Sequence, residues 1–295
     1  MTKAKPFIKW AGGKGQLLPQ LMEHVNPLFT EQKELTYIEP FVGGGAMLFH
    51  MLQTYPNITK AVINDINPDL IECYKTVRDH PQELLEALAK IEESYYKIGS
   101  EEERKEFFLQ QRIVFNRKRL PAIENTTLFL FLNRTCFNGL YRVNKKGEFN
   151  VPFGRYGSPK ICDPETILAD SRLLQNVEIL RGDFEATFEQ ATEHTFFYFD
   201  PPYRPISLSS SFTDYAKEVF NDESQLRLKR FCDRVTTAGH SFMLSNSDSK
   251  DIETGLSYFD QLYQEYSIHR VYASRNVNAI GSRRGKITEI LVCNF

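Results

Sequence analysis

The chain has 295 residues, of which 41% are hydrophobic and 25% are charged, and its formal net charge is −2. This is the composition of a globular protein with enough apolar residues for one large domain or two smaller ones, and a charge near zero does not indicate a nucleic-acid partner for the chain as a whole. No apolar run approaches the ~20 residues of a membrane span, and the N-terminus lacks the apolar segment of a signal peptide. Five scattered cysteines without a C-x-x-C pair argue against a disulfide framework or a zinc site, so we predict a soluble, cytoplasmic protein without a bound metal.

Short apolar runs that end in an acidic or small polar residue recur along the chain, and they predict strands buried on both faces. Helical patterns separate several of them, including a segment that begins with Asn67 as a candidate cap and Pro68 in the first turn. Strands that alternate with helices predict an α/β fold with an open, mostly parallel, Rossmann-like sheet. The predicted strands are "TYIEP" (36–40), "KAVIND" (60–65), "VEILRGD" (177–183), "FFYFDPPY" (196–203), "HSFMLSNS" (240–247) and "TEILVCNF" (288–295).

The alternation stops between about Asn67 and Asp163, where the sequence is first rich in helical patterns and then in loops. Residues 112–160 within this stretch contain ten lysines or arginines and two glutamates. A local basic surface can bind phosphate even when the total charge is near zero, although a single run of charge is more often only a solvated face. We therefore predict a main α/β domain of residues 1–67 and 163–295 with an inserted second domain, first helical and then rich in loops, of residues 68–162.

The segment "YIEPFVGGGAMLFH" (37–50) predicts a strand, a glycine loop and a helix whose N-terminus faces a ligand. Gly43 and Gly45 let the backbone approach that ligand closely. Asp65 ends the next predicted strand, 22 residues after Gly43, which suits a carboxylate that binds ribose hydroxyls. Leu48 stands where a dinucleotide fingerprint would place its last glycine, so a nucleoside without a pyrophosphate is the better prediction. An ordinary tight turn remains an alternative for the loop alone.

Near the N-terminus, "FIKWAGGKGQLLP" (7–19) places a glycine turn between the only tryptophan, Trp10, and Lys14. An indole face and a cation could together hold a ligand that carries a ring or sulfonium and a carboxylate. A core tryptophan beside a surface lysine explains the same pattern equally well.

The segment "DPPY" (200–203) follows an apolar strand and has the chemistry needed to activate an amino group on a base. Such an amino group is a weak nucleophile, because its lone pair is delocalised into the ring, and it needs acceptors for its hydrogens. The Asp200 carboxylate and the Pro201 carbonyl can accept them, while neither Pro201 nor Pro202 has an N–H to compete. Tyr203 can stack on the base. An Asp-Pro turn alone is common, but this combination after a buried strand favours a catalytic site.

Taken in this order, "FIKWAGGK", "EPFVGGG", the basic insertion and "DPPY" resemble the alpha-group DNA adenine-N6 methyltransferases, in particular the Dam-type enzymes and their restriction-modification relatives. The resemblance implies S-adenosylmethionine as cofactor, a Rossmann-like methyltransferase domain and a smaller target-recognition domain. It implies catalysis by residues 200–203. It also implies these contacts to the cofactor: Trp10, Lys14, Phe41, Gly43, Gly45, Asp65, Asp183 and Asp200. A helix cap is the alternative role for Asp183.

The segment "NRTCFNGLYRVNKKGEFNVPFGRYGSPK" (133–160) resembles the recognition hairpin of the Dam-type enzymes. By that resemblance Leu140 is a wedge next to a flipped adenine, Arg142 reads a base edge and Asn138 holds the partner strand. Arg155 would contact phosphate, and Lys9 would read an outer guanine. The resemblance thus implies double-stranded DNA as the partner and GATC as the site. For each of these residues, a solvated loop side chain is the alternative.

Other functions remain open on the sequence alone. A Pro-Pro-Tyr turn also serves methylation of RNA bases or of glutamine amides in proteins, and a DNA-binding protein without catalysis is a third class. The basic hairpin favours DNA, and the intact Asp200 and glycine loop disfavour loss of catalysis. The sequence does not tell whether the enzyme acts alone or beside a separately encoded cognate restriction endonuclease.

Overall fold

A computed structural model describes residues 2–26, 29, 31–204, 220–250, 257–274 and 286–295. Within these ranges the strands are β1 Leu35–Glu39, β2 Ile58–Asp65, β3 Val177–Arg181, β4 Thr195–Phe199, β5 Ser241–Ser247, β6 Ser267–Ser274 and β7 Lys286–Cys293. The α-helices are α1 Leu18–Met22, α2 Ala46–Thr54, α3 Pro68–Asp79, α4 Pro81–Tyr96, α5 Glu101–Phe115, α6 Ala122–Thr135, α7 Pro164–Leu174, α8 Asp222–Thr237 and α9 Tyr258–Leu262. None of these helices has both the length and the apolar character needed to cross a membrane.

The strands form one seven-stranded sheet in the order β3-β2-β1-β4-β5-β7-β6. Strand β1 is parallel to β2 and to β4, with Ile38 opposite Val62 on one side and Phe197 on the other, and β4 is parallel to β5. The strand order reverses between β1 and β4, and in open α/β sheets ligands bind outside the carboxyl ends of the strands at such a point. The predicted α/β class with an open, mostly parallel, Rossmann-like sheet is confirmed.

The other end of the sheet is antiparallel, because β7 lies between β5 and β6 and pairs with both in that direction. Strand β6 is absent from the sequence predictions. Its polar His269 and Arg270 interrupt the apolar pattern, and both side chains are only half-buried at the sheet edge.

Strand β3, at the opposite edge, corrects a prediction. It is not buried on both faces, because Val177 and Ile179 are buried while Glu178 and Arg181 are exposed. An edge strand with one solvated face shows this alternation. By contrast, every residue of β1 and β4 is buried, as predicted.

Two compact units can be distinguished from the contacts within the chain. Unit 1 contains Met1–Gly13, Gly43–Thr54 and Asp65–Gly182, and unit 2 contains Lys14–Val42, Tyr55–Asn64 and Asp183–Phe295. The helix-rich, then loop-rich character expected after Asn67 is found in unit 1, which holds α3 to α7. The domain boundaries at 67/68 and 162/163 stay a prediction.

Helices α3, α5 and α7 of unit 1 each begin where a short polar side chain accepts hydrogen bonds from free backbone N–H groups. Asn67 accepts hydrogen bonds from the N–H groups of Asp69 and Leu70, with Pro68 in the first turn, as the sequence predicts. Helix α6 is buried over most of its length and packs against α3, α4 and α5. This packing gives unit 1 a firm base for the hairpin that follows α6.

Candidate active site

The glycine loop of unit 1 has a backbone that other residues adopt only with strain. Gly43 has φ of +49° and Gly45 has φ of +73°, both in the left-handed region. A Cβ on Gly43 would lie 2.9 Å from Cδ1 of Trp10, and one on Gly45 would lie 2.4 Å from Oη of Tyr74. The Tyr74 hydroxyl donates a hydrogen bond to the Gly43 carbonyl at 3.0 Å. The loop is therefore held tightly and needs glycine at both positions.

The Asp65 carboxylate lies beside this loop, at the carboxyl end of β2. Its Oδ2 accepts a hydrogen bond from the Gly43 N–H at 3.2 Å, and its Oδ1 accepts one from the Asn67 N–H at 2.9 Å. Burial raises the pKa of Asp65, and these backbone donors oppose the rise. Since each carboxylate oxygen can accept a further hydrogen bond, the arrangement suits a ligand with two neighbouring hydroxyl groups.

Trp10 contacts both the glycine loop and the hairpin of unit 1. Its indole lies against Gly43 and stacks on the ring of Tyr141, with centroids 5.5 Å apart and an interplanar angle of 20°. The Tyr141 hydroxyl donates to Oδ2 of Asp69 at 3.1 Å. Nothing in the sequence pattern singles out Tyr141, because its two partners lie far from it in the chain.

Unit 2 places the side chain of Asp200 directly after buried β4. The Asp200 Oδ1 forms an ion pair with Nζ of Lys14 at 3.0 Å and accepts a hydrogen bond from Oγ of Ser245 at 3.1 Å. Burial raises the pKa of Asp200, while Lys14 and Ser245 oppose that rise. Lys14 was expected to hold a ligand carboxylate, and in the structure it contacts the carboxylate of Asp200 itself.

The remainder of the Asp-Pro-Pro-Tyr turn is fixed from several sides. The Pro202 carbonyl accepts a hydrogen bond from Nε2 of Gln225 at 3.2 Å, and Pro201 is buried. The Tyr203 hydroxyl donates to Oε2 of Glu289 at 2.6 Å, and the Tyr203 ring lies 4.4 Å from Nζ of Lys14. Backbone and ring are thus held before any substrate binds.

Strand β5 supports the turn through residues 245–247. Asn246 Oδ1 accepts the N–H of Arg204 at 3.3 Å, and its Nδ2 donates to Oε1 of Gln225 at 3.2 Å. The Ser247 hydroxyl donates to the Arg204 carbonyl at 2.5 Å. The sequence predicts residues 245–247 only as the end of a strand, and the structure shows that they bind the backbone of Arg204, the residue that follows Tyr203.

Two further residues predicted to bind the cofactor, Phe41 and Asp183, also belong to unit 2. The Phe41 ring packs against the ring of Phe184, with centroids 5.2 Å apart. Asp183 accepts a hydrogen bond from the Glu185 N–H at 3.0 Å and forms an ion pair with Arg227. The helix cap expected as the alternative for Asp183 is therefore present, and its contact with a cofactor stays a prediction.

The predicted hairpin of unit 1 carries three side chains predicted to contact DNA, and these are exposed or half-buried. Asn138 is exposed and has φ of +55°. Leu140 is half-buried, and the exposed Arg142 donates from Nε to Oδ1 of Asn150 at 2.8 Å. Antiparallel bridges join Val143 to Phe149 and Cys136 to Phe153, so the expected hairpin exists as a short, bridged loop pair.

Lys9 and Arg155, the remaining predicted DNA contacts, lie beside the same hairpin. A Cβ on Gly139 would meet Cδ of Lys9 at 2.3 Å, so the lysine stem rests on the hairpin backbone. The Lys9 ammonium lies 5.0 Å from the ring centroid of Tyr156. Arg155 is exposed and forms a loose ion pair with Glu101 at 3.5 Å, which a phosphate could replace at little cost.

Comparison with known proteins identifies a family and several relatives. Residues 10–277 match the family described as D12 class N6 adenine-specific DNA methyltransferase. The chain is 45% identical over 296 residues to the type II methyltransferase M.MjaIII of Methanocaldococcus jannaschii, an alignment that covers 99% of this chain and 100% of that protein. It is 41% identical to the type II methyltransferase M1.LlaDCHI of Lactococcus lactis subsp. cremoris, covering 99% and 95% of the two chains. It is 31% identical to the DNA adenine methylase of Escherichia coli K12, again covering 99% and 95%.

Proposed function

The chain belongs to the D12 class of N6 adenine-specific DNA methyltransferases, and on that premise we propose that it methylates a flipped adenine with S-adenosylmethionine as donor. The family makes it an enzyme that modifies adenine in DNA. The donor, the extrusion of the base and the recognition site are the finer parts of the proposal. The half-buried Asp200 directly after β4, with its carboxylate bound by Lys14 and Ser245, is the observation that carries it.

The residues of unit 1 fit a nucleoside cofactor. The Asp65 carboxylate suits the two ribose hydroxyls, and Gly43 and Gly45 allow the loop beside it to adopt its left-handed backbone. The half-exposed indole of Trp10 offers an apolar face to the cationic end of the molecule. In unit 2 we propose Lys14, Phe41, Asp183 and Asp200 as further contacts. When bound, S-adenosylmethionine supplies an electrophilic methyl group on a sulfonium sulfur.

Asp200 and Pro201 act on the amino group of the target adenine. The Asp200 carboxylate and the Pro201 carbonyl accept the two N6 hydrogens, so that the nitrogen can pyramidalise and present its lone pair. The Pro202 carbonyl is already bound to Gln225, which leaves the Pro201 carbonyl as the proposed second acceptor. The carboxylate also stabilises the positive charge that develops on N6 during transfer.

Tyr203 and the absence of backbone donors complete the site. The ring of Tyr203 stacks on the adenine, and it is fixed in orientation because its hydroxyl is bound to Glu289. Pro201 and Pro202 have no N–H that would compete for the carboxylate. A flipped base is therefore recognised by its face and by its amino edge.

The hairpin of unit 1 is the proposed DNA-reading element. Arg142 would read a base edge in the major groove, and Leu140 would fill the space that the flipped base leaves. Asn138, Lys9 and Arg155 would contact the partner strand, an outer guanine and a phosphate. The exposure of Asn138, Arg142 and Arg155 within the basic stretch of residues 112–160, and of Lys9 beside the hairpin, supports this role. We propose GATC as the site.

Two further parts of the proposal concern a partner enzyme and the cellular location. Relatives with 45% and 41% identity carry the name type II methyltransferase, so we propose a cognate restriction endonuclease encoded separately. A DNA substrate and the free, buried cysteines of this chain support a cytoplasmic location.

Transfer of labelled methyl from S-adenosylmethionine to a duplex with one GATC site tests the proposal. The control is the same duplex with that adenine replaced by another base. Label on the GATC duplex alone is expected. Label on both duplexes would refute the site, and label on neither, from folded protein that binds the cofactor, would refute DNA as substrate in favour of RNA or a protein amide.

A further inference from the structure

Glu289 is a half-buried acid of unit 2 that binds the hydroxyl of Tyr203, and the mechanism proposed above gives no role to its contact with Lys14. It lies on β7, opposite Ser247 of β5 and Val271 of β6. The antiparallel direction of β7 brings this side chain to the end of β5 that supports the catalytic turn. Its side chain is 16% exposed. A carboxylate on an inner strand of a sheet needs partners that compensate its burial.

Those partners are two residues of the proposed catalytic site. Glu289 Oε2 accepts the hydrogen bond of the Tyr203 hydroxyl at 2.6 Å. The same oxygen lies 3.7 Å from Nζ of Lys14, which is 3.0 Å from Oδ1 of Asp200. Lys14 is itself buried, with a side chain that is 4% exposed. One ammonium group thus stands between two carboxylates, and the ring of Tyr203 packs on it.

We propose that Glu289 is a positioning residue for methyl transfer, which fixes the ring of Tyr203 and shares Lys14 with Asp200. The inference rests on the proposed function of Asp200 and Tyr203. Through the hydrogen bond, Glu289 sets the angle of the ring on which the base stacks. Through its negative charge, Glu289 competes with Asp200 for the ammonium group of Lys14. The Asp200 carboxylate is then a better acceptor for the N6 hydrogens than it would be with Lys14 to itself.

The groups around Asp200 allow these two actions to be separated. Lys14 faces it from the turn of Lys14–Gln16, Ser245 from β5 and Tyr198 from β4. Tyr37 of β1 is also within electrostatic range. Burial raises the pKa of the tyrosines Tyr37, Tyr198 and Tyr203, so they stay neutral. Burial is the main cause that raises the pKa of Asp200; Lys14 and Ser245 lower it, and the negative charge of Glu289 makes a smaller contribution that raises it.

Two variants test the proposal on the full chain. Glu289→Gln removes the charge but keeps an oxygen that can accept from Tyr203. We expect the acid limb of kcat/KM against pH to move to lower pH, because Asp200 then loses the charge that raises its pKa. Tyr203→Phe keeps the ring and the charge but removes the hydrogen bond. We expect kcat to fall by about tenfold or more, the worth of one charge-assisted hydrogen bond, with the acid limb in its wild-type position.

The double variant decides the outcome. Because Glu289 and Tyr203 act as one unit, their effects on kcat should not multiply in Glu289→Gln/Tyr203→Phe. An unmoved acid limb in Glu289→Gln, or effects on kcat that simply multiply, would overturn the proposal. If Glu289→Gln does not fold, Glu289→Asp replaces it, and the shorter side chain should lower kcat without moving the acid limb. Failure of the proposed function is distinct, since the wild-type protein would then transfer no methyl group to DNA.

Discussion

Replacement of Gly43 by alanine should destabilise the glycine loop in two ways, through backbone strain and through steric overlap with Trp10. With φ at +49°, a residue with a Cβ costs about 1–2 kcal/mol in the left-handed region. The new Cβ would also lie 2.9 Å from Cδ1 and 3.1 Å from Nε1 of Trp10, and overpacking of this kind costs about 1–3 kcal/mol. We expect Gly43→Ala to lower the free energy of unfolding by roughly 2–5 kcal/mol and Tm by roughly 3–8 °C.

Gly239 provides a matched control for the backbone cost alone. It has φ of +81°, and a Cβ there would meet no atom within 4 Å. Gly239→Ala should therefore cost only the ~1–2 kcal/mol of the left-handed conformation. Differential scanning fluorimetry gives Tm for both variants, and calorimetric titration gives the affinity for S-adenosylmethionine. We expect Gly43→Ala to lose affinity and Gly239→Ala to keep it.

A double variant tests the steric part of the reasoning. In a Trp10→Ala background the three atoms nearest to the Cβ of Gly43→Ala are removed, so its cost should fall towards that of Gly239→Ala. If Gly43→Ala costs no more than Gly239→Ala in the wild-type background, the contact with Trp10 does not constrain the loop. If the cost is unchanged in the Trp10→Ala background, the strain lies in the backbone alone.

Three further variants test other parts of the molecule. Asp200→Asn should abolish methyl transfer but leave binding to a GATC duplex largely intact in a gel-shift assay, and retained turnover would refute its role. Arg142→Ala should lower discrimination at one base pair by about 1–3 kcal/mol, whereas equal weakening on all sequences would make Arg142 a phosphate contact. Burial raises the pKa of Asp170 to about 8; its Oδ1 accepts the Lys5 N–H at 3.0 Å, and its Oδ2 has no hydrogen-bond partner among the described residues. Because the folded state then binds the proton more tightly than the unfolded state, stability should fall as pH rises from about 4 to 8. Asp170→Asn should remove that slope, so a pH series of Tm in which the variant parallels the wild type would refute the assignment.

Local chemistry explains which parts of the fold could be predicted from the sequence. The buried runs of β1 and β4 and the cap at Asn67 depend on neighbours in the chain, and they form as predicted. Strand β6 could not be found in this way, because its stability comes from pairing with β7 rather than from an apolar pattern of its own.

The same distinction between local and long-range contacts explains which parts of the site could be predicted. Gly43 and Asp65 were linked by their place in a strand, loop and helix, and a hydrogen bond joins them in the structure. Glu289 stands 86 residues from its partner Tyr203, and an acid within an apolar strand carries no sign of such a contact. Lys14 was predicted as a site residue, but no sequence pattern links it to Asp200, which lies far from it in the chain and forms an ion pair with it in the structure.

The placement of β7 has a consequence for the order in which the sheet is completed. Strand β6 precedes β7 in the chain but reaches the rest of the sheet only through it. During synthesis, β5 and β6 must therefore wait with open edges until residues 286–293 leave the ribosome. Open edges of this kind are where chains mispair and aggregate. A nascent chain that lacks β7 also lacks Glu289. The Asp-Pro-Pro-Tyr turn would therefore gain the hydrogen bond between Tyr203 and Glu289 only after β7 has joined the sheet.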